Sequence, residues 1–223
     1  MAIKAGQVRC NGSPAGKPSL TVQPGDHIEI TGEPLRYVSR GGLKLEKAIQ
    51  TFHLDFQGKR VLDAGASTGG FTDCALQHGA AKVYAVDVGS EQLSPALRSH
   101  PQVVFYENQD VRQLSLAHLE GEPVDAIVAD LSFISLTHIL PAFPPLLKPG
   151  GFLVLLIKPQ FEMETRHALK GGIVKDRQLQ EGAVRRVTDF AEGVGFKLKG
   201  LTETDVLDEQ RKNKEFLAWF DLS

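Results

Sequence analysis

The sequence is 223 residues long with a mass of 24.3 kDa, enough for one well-packed domain and a small additional segment. Apolar residues make up 42% and charged residues 23%, close to globular averages, which excludes extensive disorder and a fibrous repeat. The net charge of −2 is unevenly distributed: residues 1–60 carry nine basic and five acidic side chains, residues 61–164 five and twelve, and residues 165–223 eleven and ten. The basic ends could bind a polyanion, although ordinary solvated faces explain the same charges.

Membrane and metal chemistry receive little support from the sequence. The longest apolar run, at 152–157, is far shorter than the ~20 residues that span a bilayer, and no charged-then-apolar leader opens the chain. Cys10 and Cys74 are too few for a disulfide framework, and the seven histidines form no pair at ligand spacing. We therefore expect a cytoplasmic protein that inserts into no membrane and holds no metal.

The first part of the chain reads as short strands followed by a helix. β-prone stretches at 7–10, 19–22 and 27–30 are separated by Asn-Gly and Pro-Gly turn signals, which predicts a small β-meander. Ser39 then predicts the N-terminal cap of a helix that extends to about Phe52.

From this point strands and helices alternate. Apolar runs typical of buried parallel strands lie at 61–64, 83–88, 103–106, 126–130 and 152–157. Helix-compatible stretches lie between or after them, at about 70–79, 91–98, 135–147 and 177–194. The alternation predicts a doubly wound α/β sheet. Two later β-prone segments, 197–204 and 216–221, predict an antiparallel pair at one edge.

A glycine-rich turn follows the first of these parallel strands, where residues 63–71 read Asp-Ala-Gly-Ala-Ser-Thr-Gly-Gly-Phe. Glycines after a strand let the backbone approach a ligand, and the next helix offers free N–H groups. A dinucleotide fingerprint would place its second glycine two residues after the first, whereas here Gly65 is followed by Gly69 and Gly70. The spacing favours the methionine end of S-adenosylmethionine over a pyrophosphate, and a tight turn without a ligand is the less favoured alternative.

Two acids follow the next strands. Asp87 ends the second strand about 20 residues beyond the turn, where it can accept hydrogen bonds from ribose hydroxyls of either NAD or S-adenosylmethionine. Asp110, after the third strand, could receive an adenine amino group or could cap a helix over 111–119, and the residues favour neither.

A charged pair is predicted at the ends of the last two parallel strands. Asp130 ends the fourth strand and Lys158 the fifth, and ligands of open α/β sheets bind outside these carboxyl ends. A lysine directly after an apolar strand is costly to bury unpaired, so we expect the two side chains to meet. The pair could be a structural ion pair or the machinery of proton transfer.

Several segments resemble the TlyA, or hemolysin A, family of S-adenosylmethionine-dependent ribosomal RNA 2′-O-methyltransferases, which is related to the FtsJ type. Besides the glycine-rich turn, they are Tyr-Val-Ser-Arg-Gly-Gly-Leu-Lys-Leu at 37–45, Asp-Leu-Ser-Phe-Ile-Ser-Leu at 130–136, Ile-Lys-Pro-Gln-Phe-Glu at 157–162, Gly-Gly-Ile-Val-Lys-Asp at 171–176 and Asn-Lys-Glu-Phe-Leu at 213–217. The resemblance implies a Rossmann-like sheet of seven strands and methyl transfer to a ribose of ribosomal RNA.

The resemblance also implies a catalytic tetrad of Lys44, Asp130, Lys158 and Glu215. A ribose hydroxyl is a poor nucleophile, so the enzyme must align it and remove its proton. Neutral Lys158 would accept that proton while Asp130 orients it. Lys44 would disfavour a second positive charge, and Glu215 would hold Lys44 or the ribose. Taken singly, Lys44 and Glu215 read as surface charges.

The turn and the resemblance together predict the residues that contact the cofactor. They are Asp63, Gly65, Ala66, Ser67, Gly69, Gly70, Phe71, Asp87, Val88, Asp110 and Asp130.

Three segments near the start of the chain read Gly-Gln-Val-Arg-Cys-Asn-Gly at 6–12, Lys-Pro-Ser at 17–19 and Pro-Gly-Asp at 24–26. They resemble the β half of an S4-type RNA-binding domain. An S4 domain normally opens with two helices, and the chain starts after them, so we expect a partial segment at 1–33. A linker and the helix that carries Lys44 occupy 34–60, and the methyltransferase domain is expected at 61–223. Contacts to ribosomal RNA or to a ribosomal subunit are predicted from Arg9, Lys17, Arg36 and Arg40.

Two other classes of function remain open. An NAD-dependent oxidoreductase would share the turn and Asp87, but it would leave the pair of Asp130 and Lys158 unexplained. An RNA-binding, hemolysin-like protein without methyltransferase activity would keep the fold, although the complete tetrad argues against it.

Overall fold

A seven-stranded sheet forms the frame of the larger part of the chain. The computed structural model describes residues 3, 7–17, 19–31, 35–163, 172–204 and 213–223. These residues divide into two units, Met1–Arg36 and Tyr37–Ser223. Within the larger unit the helices are α1 (Gly41–Phe52), α2 (Gly70–Gln77), α3 (Pro95–Arg98), α4 (Pro159–Glu162) and α5 (Arg177–Gly193). Its strands are β4 (Arg60–Ala64), β5 (Lys82–Val86), β6 (Val103–Tyr106), β7 (Val124–Ala129), β8 (Leu147–Ile157), β9 (Phe196–Glu203) and β10 (Phe216–Leu222).

The sheet has the order β6-β5-β4-β7-β8-β10-β9, and its first five strands are parallel. β10 runs antiparallel to both β8 and β9. The predicted α/β sheet and its antiparallel edge pair are therefore confirmed. The chain leaves β4 toward β5 on one side and returns to β7 on the other, which makes the β4–β7 junction the topological switch point where ligands of such sheets bind.

Alternate residues of the central strands face two separate cores. On one face Leu62, Tyr84 and Ile127 pack with side chains of α5, such as Val187. On the other face Val61, Val83 and Ala126 pack with α1 and α2. Because both faces are covered, each central strand is apolar throughout, which is why the strands stand out in the sequence.

Two predictions for the helices are wrong in detail. Residues 135–147 form three 3₁₀ turns, Leu136–His138, Leu140–Ala142 and Pro144–Leu146, in place of one helix. The prolines in this stretch lack the N–H that an α-helix needs, so the chain turns in short pieces. Helix α1 begins at Gly41, so Arg40 and not Ser39 is the N-cap residue, and no side-chain cap bond is formed there. The Ser39 hydroxyl instead faces Gly70, where an added Cβ would lie 2.3 Å from it.

The smaller unit contains a three-stranded antiparallel sheet of β1 (Val8–Cys10), β2 (Ser13–Pro14) and β3 (Ile28–Ile30) in the order β2-β1-β3. The Asn-Gly turn is confirmed, since both of its residues have positive φ, 51° and 80°, as a two-residue hairpin of type I′ requires. The prediction of a strand at 19–22 is wrong. The strand that pairs with β1 on this side is β2.

No helix among these described residues has the length and hydropathy needed to cross a membrane.

Candidate active site

Two adjoining cavities lie at the carboxyl ends of the parallel strands, at the switch point between β4 and β7. Their volumes are about 220 and 460 Å³. Both are lined by Gly65, Ser67, Asp130 and Ser132, so the two spaces join along one wall. The volume of the larger cavity lies within the range of small-molecule sites, and the shared wall means that one extended ligand could occupy both cavities.

The glycine-rich turn forms the floor of the smaller cavity, and its glycines are required by close packing. Gly65 has φ +85°, and a Cβ there would lie 2.8 Å from the carbonyl oxygen of Asp130. Gly69 has φ +95°, and its Cβ would overlap Leu97 at 2.2 Å. An L side chain would therefore be strained at both positions and would also collide. The turn residues that line the cavity are Gly65, Ala66, Ser67, Thr68, Gly70 and Phe71.

Asp63 lies beneath this turn, outside the described lining of both cavities. Its side chain is fully buried, and the Thr72 hydroxyl donates to its Oδ2 at 2.6 Å. Burial raises the pKa of Asp63 to about 7, an effect that the Thr72 hydrogen bond opposes and the nearby charge of Asp130 reinforces. Its Oδ1 has no partner among the described residues. The structure thus places Asp63 as a support of the turn, one layer below the cavity.

Asp87 lines the larger cavity just beyond β5. Its Oδ2 accepts from the backbone N–H of Ser67 at 2.8 Å, and its Oδ1 accepts from the N–H of Gly89 at 2.7 Å. Each carboxylate oxygen retains a second acceptor direction, so the side chain can hold the turn and still receive hydroxyl groups. Val88 lines the same cavity and is highly exposed there.

Asp110 also lines the larger cavity, and it caps a 3₁₀ turn at Val111–Gln113 by accepting from the N–H of Arg112. The guanidinium of Arg112 donates to both carboxylate oxygens, at 2.5 to 3.0 Å. These bonds lower the pKa of Asp110. The capping role foreseen for Asp110 is observed, although on this short turn, and an adenine amino group would have to share oxygens that Arg112 already uses.

Lys158 and Asp130 form an ion pair at the ends of β8 and β7. The side chain of Lys158 is 4% exposed and that of Asp130 is 21% exposed, so the pair lies at the base of the cavity with the carboxylate nearer to solvent. Lys158 Nζ also donates to the hydroxyl of Ser132 at 2.9 Å. The meeting of the two charges, expected from neighbouring strand ends, is confirmed.

A second ion pair faces the same cavity. Lys44 Nζ lies 2.6 Å from Glu215 Oε2, with side-chain exposures of 14% and 9%, so neither is an exposed surface charge. Lys44 comes from α1, and Glu215 lies directly before β10. Because Phe216 of β10 pairs with Ile157 of β8, Glu215 comes beside Lys158. All four residues proposed as a tetrad therefore line one cavity.

The four basic residues proposed to contact RNA fall in different places. Arg40 lines the smaller cavity at the start of α1. Arg9, Lys17 and Arg36 belong to the smaller unit and are exposed, with Arg9 donating to the carbonyl of Gly12 at 3.3 Å.

Ser132 and Asn213 are among the residues of this site that the sequence prediction did not include. Ser132 lies two residues after Asp130, a spacing that keeps side chains on one side of an extended chain and could have indicated it. Asn213 lines the smaller cavity, accepts from the N–H of Val174 at 2.7 Å and donates to the carbonyl of Gly172 at 2.8 Å. It therefore ties the 172–174 segment to the strand that follows Glu215. Residue 171 of the Gly-Gly-Ile-Val-Lys-Asp motif lies outside the described residues.

Within the described ranges, no group of three or more His, Cys, Asp and Glu side chains is placed to hold a metal ion.

The description of the FtsJ-like methyltransferase family matches residues 37–222, and the chain belongs to that family. The S4-domain description matches residues 1–28. The family assignment decides against the NAD-dependent oxidoreductase that Asp87 alone had left open.

Individual relatives cover nearly the whole chain. The 16S/23S rRNA (cytidine-2′-O)-methyltransferase TlyA of Mycobacterium tuberculosis is 41% identical over 218 residues, which cover 97% of this chain and 81% of that protein. Hemolysin A of Brachyspira hyodysenteriae is also 41% identical, over 98% of this chain and 90% of that protein. A solved structure of a protein called a hemolysin, from Streptococcus thermophilus, has a TM-score of 0.85 and 42% identity, covering 100% of this chain and 81% of that one. The resemblance to the TlyA and hemolysin A group is confirmed.

Proposed function

We propose that this protein transfers a methyl group from S-adenosylmethionine to the 2′-hydroxyl of a ribose in ribosomal RNA, with Lys158 as the general base. The observation that carries this proposal is the convergence of two partly buried ion pairs, Lys158 with Asp130 and Lys44 with Glu215, on one cavity. Next to this cavity lies a second one with the features of a nucleoside site.

The residues present fit the cofactor. In the larger cavity, Asp87 retains acceptor directions for the two ribose hydroxyls, and Val88 and Val111 offer apolar surface to the adenine. In the smaller cavity, the backbone of the turn at Gly65 and Ser67 has no bulky side chain that would keep the methionine end away. When bound, S-adenosylmethionine supplies an electrophilic methyl group, whose bond to sulfur breaks as the bond to the ribose oxygen forms, the electron pair going to sulfur.

The chain's own residues deal with the proton. Nζ of Lys158, in its neutral form, takes the proton of the 2′-hydroxyl, and Asp130 keeps the amine pointed toward the cavity and stabilises the ammonium that results. Lys44 lines the same cavity as Lys158, where it is placed to contact the RNA next to the target ribose. Glu215 holds Lys44 in that position.

Ribosomal RNA as the substrate is supported by the names of the relatives. The Mycobacterium tuberculosis protein acts on cytidine 2′-hydroxyls of 16S and 23S rRNA, and we propose the same class of target here. Arg40, beside Lys44 on the cavity wall, suits a phosphate next to the target ribose. The smaller unit, which matches an S4 domain, would add phosphate contacts through Arg9, Lys17 and Arg36. A ribosomal substrate supports a cytoplasmic site of action.

The test is methyl transfer from labelled S-adenosylmethionine to purified small and large ribosomal subunits, followed by mapping of the modified nucleotide. We expect label on a ribose 2′-oxygen with the native protein. Lys158→Ala and Asp130→Ala should lower the rate by about 10²-fold or more, because general base catalysis contributes that much. Lys158→Arg should fail to restore it, since a guanidinium stays protonated.

Lys148→Ala is the matched control, because Lys148 pairs with Asp125 away from both cavities. Its rate should equal that of the native protein. Label on a base, or a folded Lys158→Ala protein with the native rate, would contradict the proposal.

A further inference from the structure

Ser132 lies where the smaller cavity, which contains the proposed base, adjoins the larger cavity, which has the features of a nucleoside site. Its Oγ accepts a hydrogen bond from Nζ of Lys158 at 2.9 Å, and Ser132 lines both the smaller and the larger cavity. We infer that Ser132 is a positioning residue that fixes the direction of the lone pair on Lys158. This inference rests on the proposed role of Lys158 as the general base.

The direction of the lone pair follows from the valence of nitrogen. A neutral amine has two N–H bonds and one lone pair, arranged tetrahedrally with the bond to Cε. If Asp130 were the sole partner of Nζ, rotation about the Cε–Nζ bond would place the lone pair in either of two remaining directions. Asp130 holds one side of Nζ through the ion pair, and the hydroxyl of Ser132 accepts an N–H on another side. The lone pair then takes the single direction left, on the side of the cavity that Lys158 lines.

Ser132 can do this because its loop is held firmly on both sides. The N–H of Asp130 donates to the carbonyl of Ala64 at 3.1 Å, which ties the start of the loop to β4. At the other end, buried Glu162 accepts from the hydroxyl of Ser135 at 2.5 Å and from the N–H of Leu136 at 3.0 Å. Glu162 is on α4, the helix that directly follows Lys158. The loop and the lysine are therefore fixed to the same element.

The other charged groups at this cavity do not replace the hydroxyl. Lys44 on α1 and Glu215 before β10 face the cavity and are paired with each other at 2.6 Å. Asp130, at the end of β7, already contacts Nζ of Lys158 through the ion pair. Ser132 thus supplies a hydroxyl that accepts from the amine, in addition to the ion pair with Asp130.

The test compares single-turnover rates of Ser132→Ala and Ser132→Thr at saturating cofactor and ribosomal subunits. We expect Ser132→Ala to lower the rate by about tenfold, the usual effect of one hydrogen bond, with KM values changed by less than about twofold. Ser132→Thr keeps the hydroxyl and should restore most of the rate. Ser115→Ala, at the exposed serine that caps the 3₁₀ turn Leu116–Leu119, is the matched control, and its methyl-transfer rate should equal that of the native protein. A melting curve for each variant confirms that it folds.

Several results would overturn the inference while leaving the proposed function intact. In each of these results Lys158→Ala is inactive. The first is a Ser132→Ala rate within about twofold of the native rate. The second is an effect of Ser132→Ala that is confined to KM, and the third is a loss of rate that Ser132→Thr does not repair. A loss confined to KM would mean that the hydroxyl binds a ligand. If Lys158→Ala itself keeps the native single-turnover rate, the proposed function fails first, and the inference fails with it.

Discussion

Glu215 lies beside Lys158 because Phe216, the next residue of β10, pairs with Ile157 of β8. The antiparallel edge strand thus delivers an acid to the end of a parallel strand, and α1 supplies Lys44 to meet that acid at 2.6 Å. The two ion pairs at this cavity come from four separate elements. The two pairs have no residue in common, so each pair can be changed by mutation without removing a member of the other.

The first prediction concerns the pair of Lys44 and Glu215. Each single change to alanine leaves a partly buried charge without its partner, so each should reduce both methyl transfer and the free energy of unfolding. In a double-mutant cycle the two changes should be strongly non-additive, with a coupling of about 1 to 3 kcal/mol in unfolding. Chemical denaturation of the native protein, both single variants and the double variant measures this coupling. Additive losses would show that the two side chains act independently.

The second prediction separates Asp87 from Asp110 as cofactor residues. Asp87→Ala removes an ionised acceptor, so the affinity for S-adenosylmethionine should fall by roughly 1.5 to 3 kcal/mol. Asp110→Ala should have a smaller effect on affinity, because Arg112 already occupies both oxygens of Asp110. Isothermal titration calorimetry with the cofactor, and with NAD as a negative control, gives these values. A larger loss for Asp110→Ala than for Asp87→Ala would assign the key contact to the adenine end.

The third prediction is a pH dependence of stability from Asp63. The pKa of this carboxyl is raised from 3.8 to about 7 in the folded protein. Between these pH values the folded form keeps a proton that the unfolded form loses, so the contribution of Asp63 to stability decreases as pH rises and is constant above the folded pKa. Relative to Asp63→Asn, the native protein should lose on the order of 3 kcal/mol between pH 5 and pH 8.

Denaturant unfolding of both proteins across this range checks the effect of Asp63. Two curves that stay parallel would mean that Asp63 is ionised in the folded protein throughout. Thr72→Val offers an internal comparison, because removing the hydroxyl that donates to Asp63 should raise the carboxyl's pKa further, so the decline in stability should continue to a higher pH than in the native protein.

The fourth prediction concerns RNA affinity. Arg9 and Lys17 are exposed on the smaller unit, so changing both to alanine should weaken binding to ribosomal RNA. The slope of log affinity against log salt should also become shallower by about 0.7 to 0.9 for each phosphate that the variant no longer neutralises. Filter binding at a series of salt concentrations measures both quantities. An unchanged slope would show that these two residues do not touch phosphate.

The sequence was sufficient to predict Asp130 and Lys158 as neighbours, because the carboxyl ends of adjacent parallel strands meet at one edge of a sheet. Lys44 and Glu215 could not be paired in this way. They are far apart in the chain, and their contact depends on the register of β10 against β8, which local patterns do not encode. The resemblance to a known family supplied them.

The errors in predicted elements also have physical causes. The stretch 135–147 has the apolar content of a helix, but its prolines break it into 3₁₀ turns. Ser39 has the side chain of a capping residue, yet its hydroxyl faces Gly70 on another helix, a tertiary contact that no local rule anticipates.

The packing of Gly65 against the carbonyl of Asp130 has a consequence for protein engineering. A Cβ at Gly65 would lie 2.8 Å from that oxygen. The N–H of Asp130 also donates a hydrogen bond to the carbonyl oxygen of Ala64, the residue just before Gly65. The glycine-rich turn, which would bind the cofactor, therefore packs backbone to backbone against the start of the loop that contacts the proposed base. Any redesign of this turn to admit an enlarged cofactor analogue will also shift Asp130, so selectivity and turnover will have to be optimised together.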